Sequence, residues 1–482
     1  MNRAFLTNIA LLLAINVLIK PVYIFGIDRT IQNWVGKTDY GLFFAMFSLA
    51  LWFQILNDFG IQNYNNRLIA QHPQLLDKLL PNVLVLKLGL AGLYLIVSFA
   101  MAYLLGYEGL ALHLLLFLTG TQILAALVFY FRSNLSGLGF YRTDSLVSAL
   151  DRLLLILVLG TLFWWYPKDL FQIEWMAYAQ FGTMLLTAVV TGALVWKQLS
   201  QQRFRVQWPL LRWLLRESYP YALIILLMTI YTRVDAVMVE RLVDRDEAGI
   251  YAGAYRLLDA ANMIGLLFAG LLLPMFSKLL KEKRSVGPLV QAGLRMIMAG
   301  AVTLVVLLVL FRTEVMIALY DEADAYWGTV LGVLFPSFLI LSGTYILGTL
   351  QLAAGSLKGL NRLFIVSIVL NIGLNFWLIP IYGAAGAAAT TLCTQLLVLV
   401  GEVRLSRPFL PAGQLRNDGM RITAFLLLFA AGAWYLSEWL TWFWAWEFVL
   451  LGSIASILAI LLGLLPWREW QAILAERKQE RL

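Results

Sequence analysis

Long apolar segments follow one another along almost the whole chain, with short polar turns between them. A helix needs about 20 apolar residues to cross a bilayer, and a window of that length finds fourteen such segments. They lie at 6–27, 41–60, 82–104, 110–131, 146–166, 176–196, 219–239, 252–276, 293–311, 328–350, 364–381, 384–403, 422–440 and 446–465. The pattern predicts an all-α integral membrane protein with about 14 transmembrane helices.

Basic residues are unevenly divided between the turns on the two sides of these segments. If the N-terminus is cytoplasmic, 24 of the 36 Lys and Arg residues fall in cytoplasmic stretches and six in outside turns. Cytoplasmic loops of membrane proteins carry the excess of basic residues. We therefore predict a multi-pass protein with both termini in the cytosol, and we interpret the opening MNRAFLTNIALLLAINVLIK as a retained first helix.

Composition narrows the possible functions further. The chain is 61% hydrophobic and only 13% charged, with a mean hydropathy of +0.79, which is typical of lipid-embedded proteins. The net charge of +8 is explained by the cytoplasmic turns, so we predict no nucleic-acid partner. The single Cys393 and the distant His72 and His113 offer no thiol or zinc site. No loop is long enough for a catalytic domain, so we predict a protein that is not an enzyme and has no cofactor.

A weak internal repeat relates the two halves of the chain. A shift of 208 residues aligns VGKTDYGLFFAMFSL at 35–49 with VDRDEAGIYAGAYRL at 243–257, and sets Gly41 beside Gly249. Two similar lobes that rock about a central site are typical of transporters. We predict a six-helix lobe at 1–200, a second in pseudo-two-fold repeat at 201–410, and two further helices with a cytoplasmic tail at 411–482.

Four motifs, taken in order, resemble a known family. They are the VGKTDYGLFFAMFSL turn, DFGIQNYNNRLIA, GIYAGAYRLLDAANMI with LPMFSKLL, and LIPIYGAAGAAATTL. The chain resembles the polysaccharide flippases of the multidrug, oligosaccharidyl-lipid and polysaccharide (MOP) exporter superfamily. The resemblance implies a bacterial inner-membrane protein that flips undecaprenyl-pyrophosphate-linked oligosaccharide for O-antigen, lipopolysaccharide or a similar polysaccharide. It implies membrane lipids and the lipid-linked glycan as partners, with a glycan polymerase or glycosyltransferases of the same pathway as further candidates.

Three alternative functions stay open at this point. Lipid II flippases and multidrug exporters share the fold that the resemblance implies. An exporter of cationic drugs should carry acidic groups in its cavity, and the basic excess among the intramembrane charges argues against it. A membrane glycan polymerase or ligase should have large outer loops, which the sequence lacks.

Charged residues inside apolar segments are candidates for the substrate site, because each costs several kcal/mol to insert. Lys20 lies deep in the first segment and is followed by Pro21; if that segment ends early, Lys20 instead lies at the outer interface. Arg256 and Asp259 share one face of the eighth segment, as a mutually neutralising pair or as a pyrophosphate site. Arg233, in the seventh segment, completes the predicted cationic cavity for the diphosphate.

Two other intramembrane cations have a simpler interpretation. Lys87 and Arg152 lie only five or six residues inside the cytoplasmic ends of their segments. Long basic side chains at such depths extend to the headgroups. We predict that both do so.

A possible cation site follows from the depths of polar residues in three segments. Asp235, Asn375 and Thr390 lie at similar distances from the outer membrane face, and Asn371 and Thr394 lie one turn deeper. Oxygen ligands of this kind suit Na⁺, and the pattern resembles the sodium site of lipid II flippases. Hydrogen bonding between neighbouring helices is the alternative. We predict possible Na⁺ or H⁺ coupling.

Overall fold

The computed structural model describes residues 19, 21–62, 65, 68–69, 72–199, 206–440 and 442–465. Within these ranges the chain is helical and forms no strand, which confirms the predicted all-α class. A π-helical stretch, Val22–Asp28, leads into the first α-helix. The α-helices are α1 Arg29–Trp52, α2 Leu76–Leu104, α3 Leu110–Gly137, α4 Tyr141–Val147, α5 Leu150–Trp165, α6 Ile173–Trp196, α7 Trp208–Leu242, α8 Arg245–Lys281, α9 Gly287–Leu310, α10 Arg312–Leu319, α11 Ala325–Leu334, α12 Ser337–Ala353, α13 Leu357–Ser406, α14 Gln414–Trp439 and α15 Trp444–Leu461.

The helices agree with the predicted segments in position but not always in number. Ten helical stretches of the described residues are long and apolar enough to cross a membrane. Segments 11 and 12 are joined in α13, segment 10 is divided between α11 and α12, and most of segment 1 lies outside the described residues. The count of fourteen is therefore approximate, while the membrane fold class is confirmed.

The second predicted segment is helical only in its first part. α1 ends at Trp52, and a 3₁₀ turn follows at Gln54–Asn57. Phe59 and Gly60 then adopt left-handed backbone conformations, with φ of 47° and 78°. A bulky residue in that region is strained and needs support from its surroundings. Hydropathy records apolar composition and not backbone geometry, so the expected continuous helix to residue 60 was wrong.

The fifty residues of α13 form a helical hairpin and not one rod. The chain reverses at Gly383, whose φ of 56° and ψ of −134° lie outside the helical region. Just beyond the turn, a Cβ at Gly386 would collide with the backbone carbonyl oxygen of Leu378. Gly383 therefore forms the turn, and Gly386 permits the two helices of the hairpin to pack closely.

The helices fall into two compact units, Met1–Gly249 and Ile250–Leu482. In the first unit, Leu79, Val83 and Tyr130 are among the side chains of a buried apolar cluster. In the second unit, Leu294 and Ile346 belong to a similar cluster. Each unit thus has its own core, and the domain boundaries predicted from the repeat stay a prediction.

Large apolar side chains also cover the outside of the helices. Leu88 and Ile96 on α2 are each 69% exposed, as expected for side chains that face lipid. Trp164 and Trp165 end α5, and Trp439 ends α14; all three are highly exposed. Indole rings favour the headgroup layer, so these positions agree with the predicted membrane boundaries.

The α13 hairpin yields a prediction about stability. Gly386→Ala places a methyl group against backbone that cannot rotate away, and overpacking of this kind costs about 1–3 kcal/mol. Gly373→Ala, in the same helix, is the matched control, because nothing lies within 4 Å of an added Cβ there. We expect a lower thermal unfolding midpoint in detergent for Gly386→Ala only. Equal midpoints for the two variants would contradict the tight hairpin.

Candidate functional site

The predicted cationic cavity is distributed over two helices of the described chain. Arg233 is half-buried on α7, Arg256 is 8% exposed on α8, and Asp259 lies one turn further along α8. Each of the three has an electrostatic or hydrogen-bonding interaction in the structure. Lys20 lies outside the described residues. The structure therefore puts a guanidinium and a carboxylate together within α8, while their role toward a substrate stays a prediction.

The α13 hairpin brings four of the five predicted cation ligands together. Asn371 and Asn375 lie before the turn at Gly383, Thr390 and Thr394 lie after it, and all four are fully buried. The Asn375 amide donates to the Asn371 carbonyl oxygen at 3.0 Å, and the Asn371 amide donates to the Thr394 hydroxyl at 3.4 Å. The Asn371–Thr394 bond is a helix-to-helix contact of the kind that the alternative interpretation expects, while the Asn375–Asn371 bond lies within one helix.

One oxygen of this group remains available for a ligand. The Thr390 hydroxyl oxygen is buried and has no hydrogen-bond partner among the described residues. An oxygen of this kind is a suitable ligand for a hard cation, and the side-chain amide oxygen of Asn371 lies on the same hairpin. Asp235, on α7 in the first unit, is 1% exposed. The donor set fits a monovalent cation in its chemistry, and no cluster of three acidic, His or Cys ligands occurs in the described ranges.

The two segments aligned by the 208-residue repeat contact each other directly. A Cβ at Gly41 would collide with the Arg245 carbonyl oxygen, and a Cβ at Gly249 would collide with the Lys37 carbonyl oxygen. Arg245 and Lys37 are themselves equivalent under the same shift. The contact is thus reciprocal, as between two segments related by a local two-fold axis. Only glycine permits backbones to approach this closely.

Polar side chains close the reciprocal contact at its rim. The Thr38 hydroxyl donates to Asp246 at 2.5 Å, and the Lys37 ammonium lies 3.2 Å from the other oxygen of Asp246. The Gln32 amide donates to the Gly249 carbonyl oxygen at 2.9 Å. Lys37 and Asp246 are both part-exposed, and exposed ion pairs contribute little. The contact combines tight backbone packing with a weak polar rim.

Lys87 does not extend to the headgroups as predicted. Its side chain is 2% exposed, and its ammonium lies 2.7 Å from Asp58 and 3.2 Å from the carbonyl oxygen of Asn57. That carbonyl ends the 3₁₀ turn after α1, where helical carbonyls lack their own donors. Lys87 therefore holds the broken helix end and neutralises Asp58, and the snorkelling interpretation was wrong.

Arg152 also has protein contacts that the sequence did not indicate. Its guanidinium lies 4.6 Å from the centre of the Tyr23 ring and 3.4 Å from the Asp151 carboxylate. The side chain is 38% exposed. An aromatic face and a neighbouring carboxylate thus stabilise this charge together with the polar surroundings.

A buried ion pair and a buried acid in the second unit were missed altogether. Arg295 on α9 donates twice to one oxygen of Asp418 on α14, each time at 2.8 Å. Glu402 on α13 is 1% exposed. Arg295 is the one charged residue in its apolar segment, which is a signal that could have identified it as a buried charge. Glu402 lies at the end of a predicted segment, where charged residues are common and do not indicate burial.

The fold is shared with known membrane transporters. The lipid II flippase MurJ, in an inward closed conformation, matches with a TM-score of 0.64 and 15% identity over 90% of this chain and 98% of that chain. An inward-facing multidrug resistance MATE family transporter of the MOP superfamily matches with a TM-score of 0.62 and 16% identity, over 86% of this chain and 98% of that chain. A MOP superfamily transporter from Pyrococcus furiosus matches with a TM-score of 0.55 and 17% identity, over 86% of this chain and 94% of that chain. The chain has the fold of a multi-pass MOP transporter.

The sequence comparison narrows this class to one family. A profile of the family described as polysaccharide biosynthesis protein matches residues 5–280, more than half of the chain. The chain therefore belongs to the polysaccharide biosynthesis protein family within the MOP transporter fold. No curated protein sequence matches it. The resemblance recognised in the sequence motifs is confirmed at this level.

The Lys87–Asp58 pair yields a prediction about folding. Removing one partner of a buried ion pair costs about 3–5 kcal/mol, because the other charge stays buried without compensation. We expect Lys87→Met to lower the thermal unfolding midpoint strongly, and the double variant Lys87→Met with Asp58→Asn to recover much of the loss.

Lys278→Met is the control for the Lys87 and Asp58 variants. Lys278 pairs with Glu282 at 3.7 Å, and its side chain is 55% exposed, so its loss should change stability by less than about 1 kcal/mol. A double variant as unstable as Lys87→Met alone would show that the two charges do not compensate each other.

Proposed function

We propose that this protein flips undecaprenyl-pyrophosphate-linked oligosaccharide across the bacterial inner membrane for polysaccharide or lipopolysaccharide biosynthesis. Its family is one of polysaccharide biosynthesis proteins, and its fold is similar to that of a lipid II flippase. The proposal includes cytoplasmic termini and no covalent chemistry by the protein. The substrate class differs from lipid II in its glycan but keeps a polyprenyl diphosphate.

The observation that carries the proposal is the buried Arg256 guanidinium on α8, with Asp259 one turn further along the same helix. Arg256 is 8% exposed on a helix that can cross the membrane. A planar guanidinium can donate two parallel hydrogen bonds to a diphosphate. Asp259, one turn away, orients the guanidinium and lowers its cost of burial between transport events. The polyprenyl chain needs no pocket, because it remains in lipid while the charged headgroup crosses.

Alternating access requires a contact that closes one side of the membrane and can reopen. The reciprocal contact of Gly41 and Gly249 supports such a role, because it has no large side chains to disengage. Its rim bonds from Thr38 and Lys37 to Asp246 are exposed enough to exchange with water. In the proposed cycle this contact separates when the cavity opens on its side.

The proposal includes Na⁺ as the coupling cation, with H⁺ as the alternative. The ligands would be Asp235, Asn371, Asn375, Thr390 and Thr394. The buried Thr390 hydroxyl supports this, since it has no hydrogen-bond partner in the part of the chain that the structure describes. A bound cation would supply charge compensation for Asp235 and hold the hairpin oxygens in one arrangement. The membrane potential would add to the driving force.

Export of drugs or of lipid II is the second candidate function. MATE transporters and MurJ share the fold, so the fold alone does not separate these substrates. The buried arginine on α8 favours an anionic headgroup over a cationic drug. A glycan polymerase or ligase is less well supported, because the turns between described helices are short. The proposed partners are the lipid-linked glycan, membrane lipids and pathway enzymes such as a polymerase or glycosyltransferases.

Depletion of the protein followed by lipid analysis tests the function. We expect undecaprenyl-linked oligosaccharide to accumulate on the cytoplasmic leaflet, because synthesis continues without transport. In the depleted strain, Arg256→Ala should lower the flipping rate about 10- to 100-fold, the equivalent of a lost charge-assisted bond, and Arg256→Lys should recover part of it.

Arg404→Ala is the matched control, since Arg404 is exposed on α13. It should complement fully at equal membrane abundance. Unchanged glycan lipids with altered drug tolerance would refute the proposed substrate. Full activity of Arg256→Ala would refute the diphosphate site.

Cross-linking of the reciprocal contact tests the proposed cycle. With Cys393 replaced by Ser, Thr38→Cys and Asp246→Cys place two thiols where the side-chain oxygens are 2.5 Å apart. We expect oxidation to stop transport and a reductant to restore it, with each single-cysteine variant unaffected by oxidant. Transport that continues after complete cross-linking would show that the contact stays closed throughout the cycle.

A further inference from the structure

Glu402 is a buried acid that the proposed transport site does not use. It lies near the end of α13, is 1% exposed, and faces α12. An added Cβ at Gly348 of α12 would lie 2.8 Å from one carboxyl oxygen, so glycine provides the space for this side chain. The Thr344 hydroxyl, one turn earlier on α12, hydrogen-bonds to the carboxyl group.

The described residues of α9, α12 and α13 supply no cation to Glu402. α12 contains no Asp, Glu, Lys, Arg or His, and its Tyr345 packs against Gly265 of α8. On α13, Lys358, Arg362 and Arg404 are exposed. On the neighbouring α9, Arg295 is engaged by Asp418. An ionised carboxylate here would therefore be a buried charge without an opposite charge, which is strongly unfavourable.

Two oxygens at this helix interface lack a donor. The second carboxyl oxygen of Glu402 is buried and has no hydrogen-bond partner among the described residues. The side-chain amide oxygen of Gln351, one turn beyond Gly348, is also buried and has no hydrogen-bond partner among the described residues. The Gln351 amide group is held in place by donating to Ser406 at 2.9 Å. With the Gln351 amide oriented to donate to Ser406, both oxygens are acceptors, so neither supplies a hydrogen to the other.

We propose that Glu402 is a proton-binding site that holds a proton between α12 and the second half of α13. One proton supplies the missing donor. The carboxylic acid O–H donates to the side-chain amide oxygen of Gln351, and the carboxyl group carries no charge. The site differs from the α8 arginine and from the Na⁺ ligands, and its existence does not depend on which substrate is transported. Movement of α12 against α13 that admits water would release the proton.

Infrared difference spectroscopy of the purified protein reads this proton directly. We expect the spectrum of the wild type minus that of Glu402→Gln to contain the carbonyl stretching band of a protonated carboxylic acid at neutral pH. Glu282→Gln is the control: Glu282 is part-exposed and paired with Lys278, so its difference spectrum should contain carboxylate bands only. A carboxylate band in place of the acid band for Glu402 would overturn the proposal.

A second variant tests the partner of the proton. Gln351→Leu removes the acceptor, so the acid band should shift to the higher frequency of a carbonyl with a weaker hydrogen bond. An unshifted band would refute Gln351 as the acceptor.

The pH dependence of stability provides an independent check. A neutral buried acid loses stability as the pH rises and its proton is removed. The unfolding midpoint of the wild type should therefore fall more steeply toward alkaline pH than that of Glu402→Gln, which has no proton to lose. Parallel curves would contradict the proposal. Both readouts are made without substrate, so their failure is distinguishable from a failure of the proposed flipping activity.

Discussion

A charge inside an apolar helix bundle must be compensated by the protein, because lipid supplies neither counterion nor hydrogen bond. This constraint accounts for most of the polar contacts described above. Lys87 binds both Asp58 and the free carbonyl of Asn57, and Arg295 binds Asp418. Each pair joins residues far apart in the sequence, so the pairs also fix which helices are neighbours.

Glycine determines how closely these helices approach, with two different consequences. At the α13 hairpin, Gly386 lies against the backbone of the preceding helix in the same continuous segment. At the reciprocal contact, Gly41 and Gly249 belong to two distinct helices, and the bonds from Lys37 and Thr38 to Asp246 are part-exposed. The first arrangement stabilises a permanent hairpin. The second has the properties needed for a contact that forms and separates.

The sequence was sufficient to locate the helices, because about 20 apolar residues are required wherever a helix crosses lipid. It did not reveal where helices break: beside the left-handed Phe59, the end of the 3₁₀ turn at Asn57 is bound by Lys87, thirty residues from Asn57, and hydropathy does not predict this contact. The positions of Asn371 and Thr394 within their apolar segments predicted that they lie at the same depth in the membrane, and in the α13 hairpin a hydrogen bond joins them. Glu402 was missed because its burial depends on Gly348, which sequence position alone does not place beside it.

A transporter of a lipid-linked diphosphate needs a buried cation for the headgroup, a separable contact and a source of energy. In the proposed function, Arg256, the Gly41–Gly249 contact and the polar hairpin of α13 would take these roles. The most direct measurement is leaflet-resolved transport of undecaprenyl-pyrophosphate oligosaccharide in proteoliposomes that contain only this protein. The account predicts movement of the glycan to the opposite leaflet at a rate that falls about 10- to 100-fold with Arg256→Ala. Equal movement in protein-free vesicles, or in vesicles containing the Arg256→Ala variant, would contradict it.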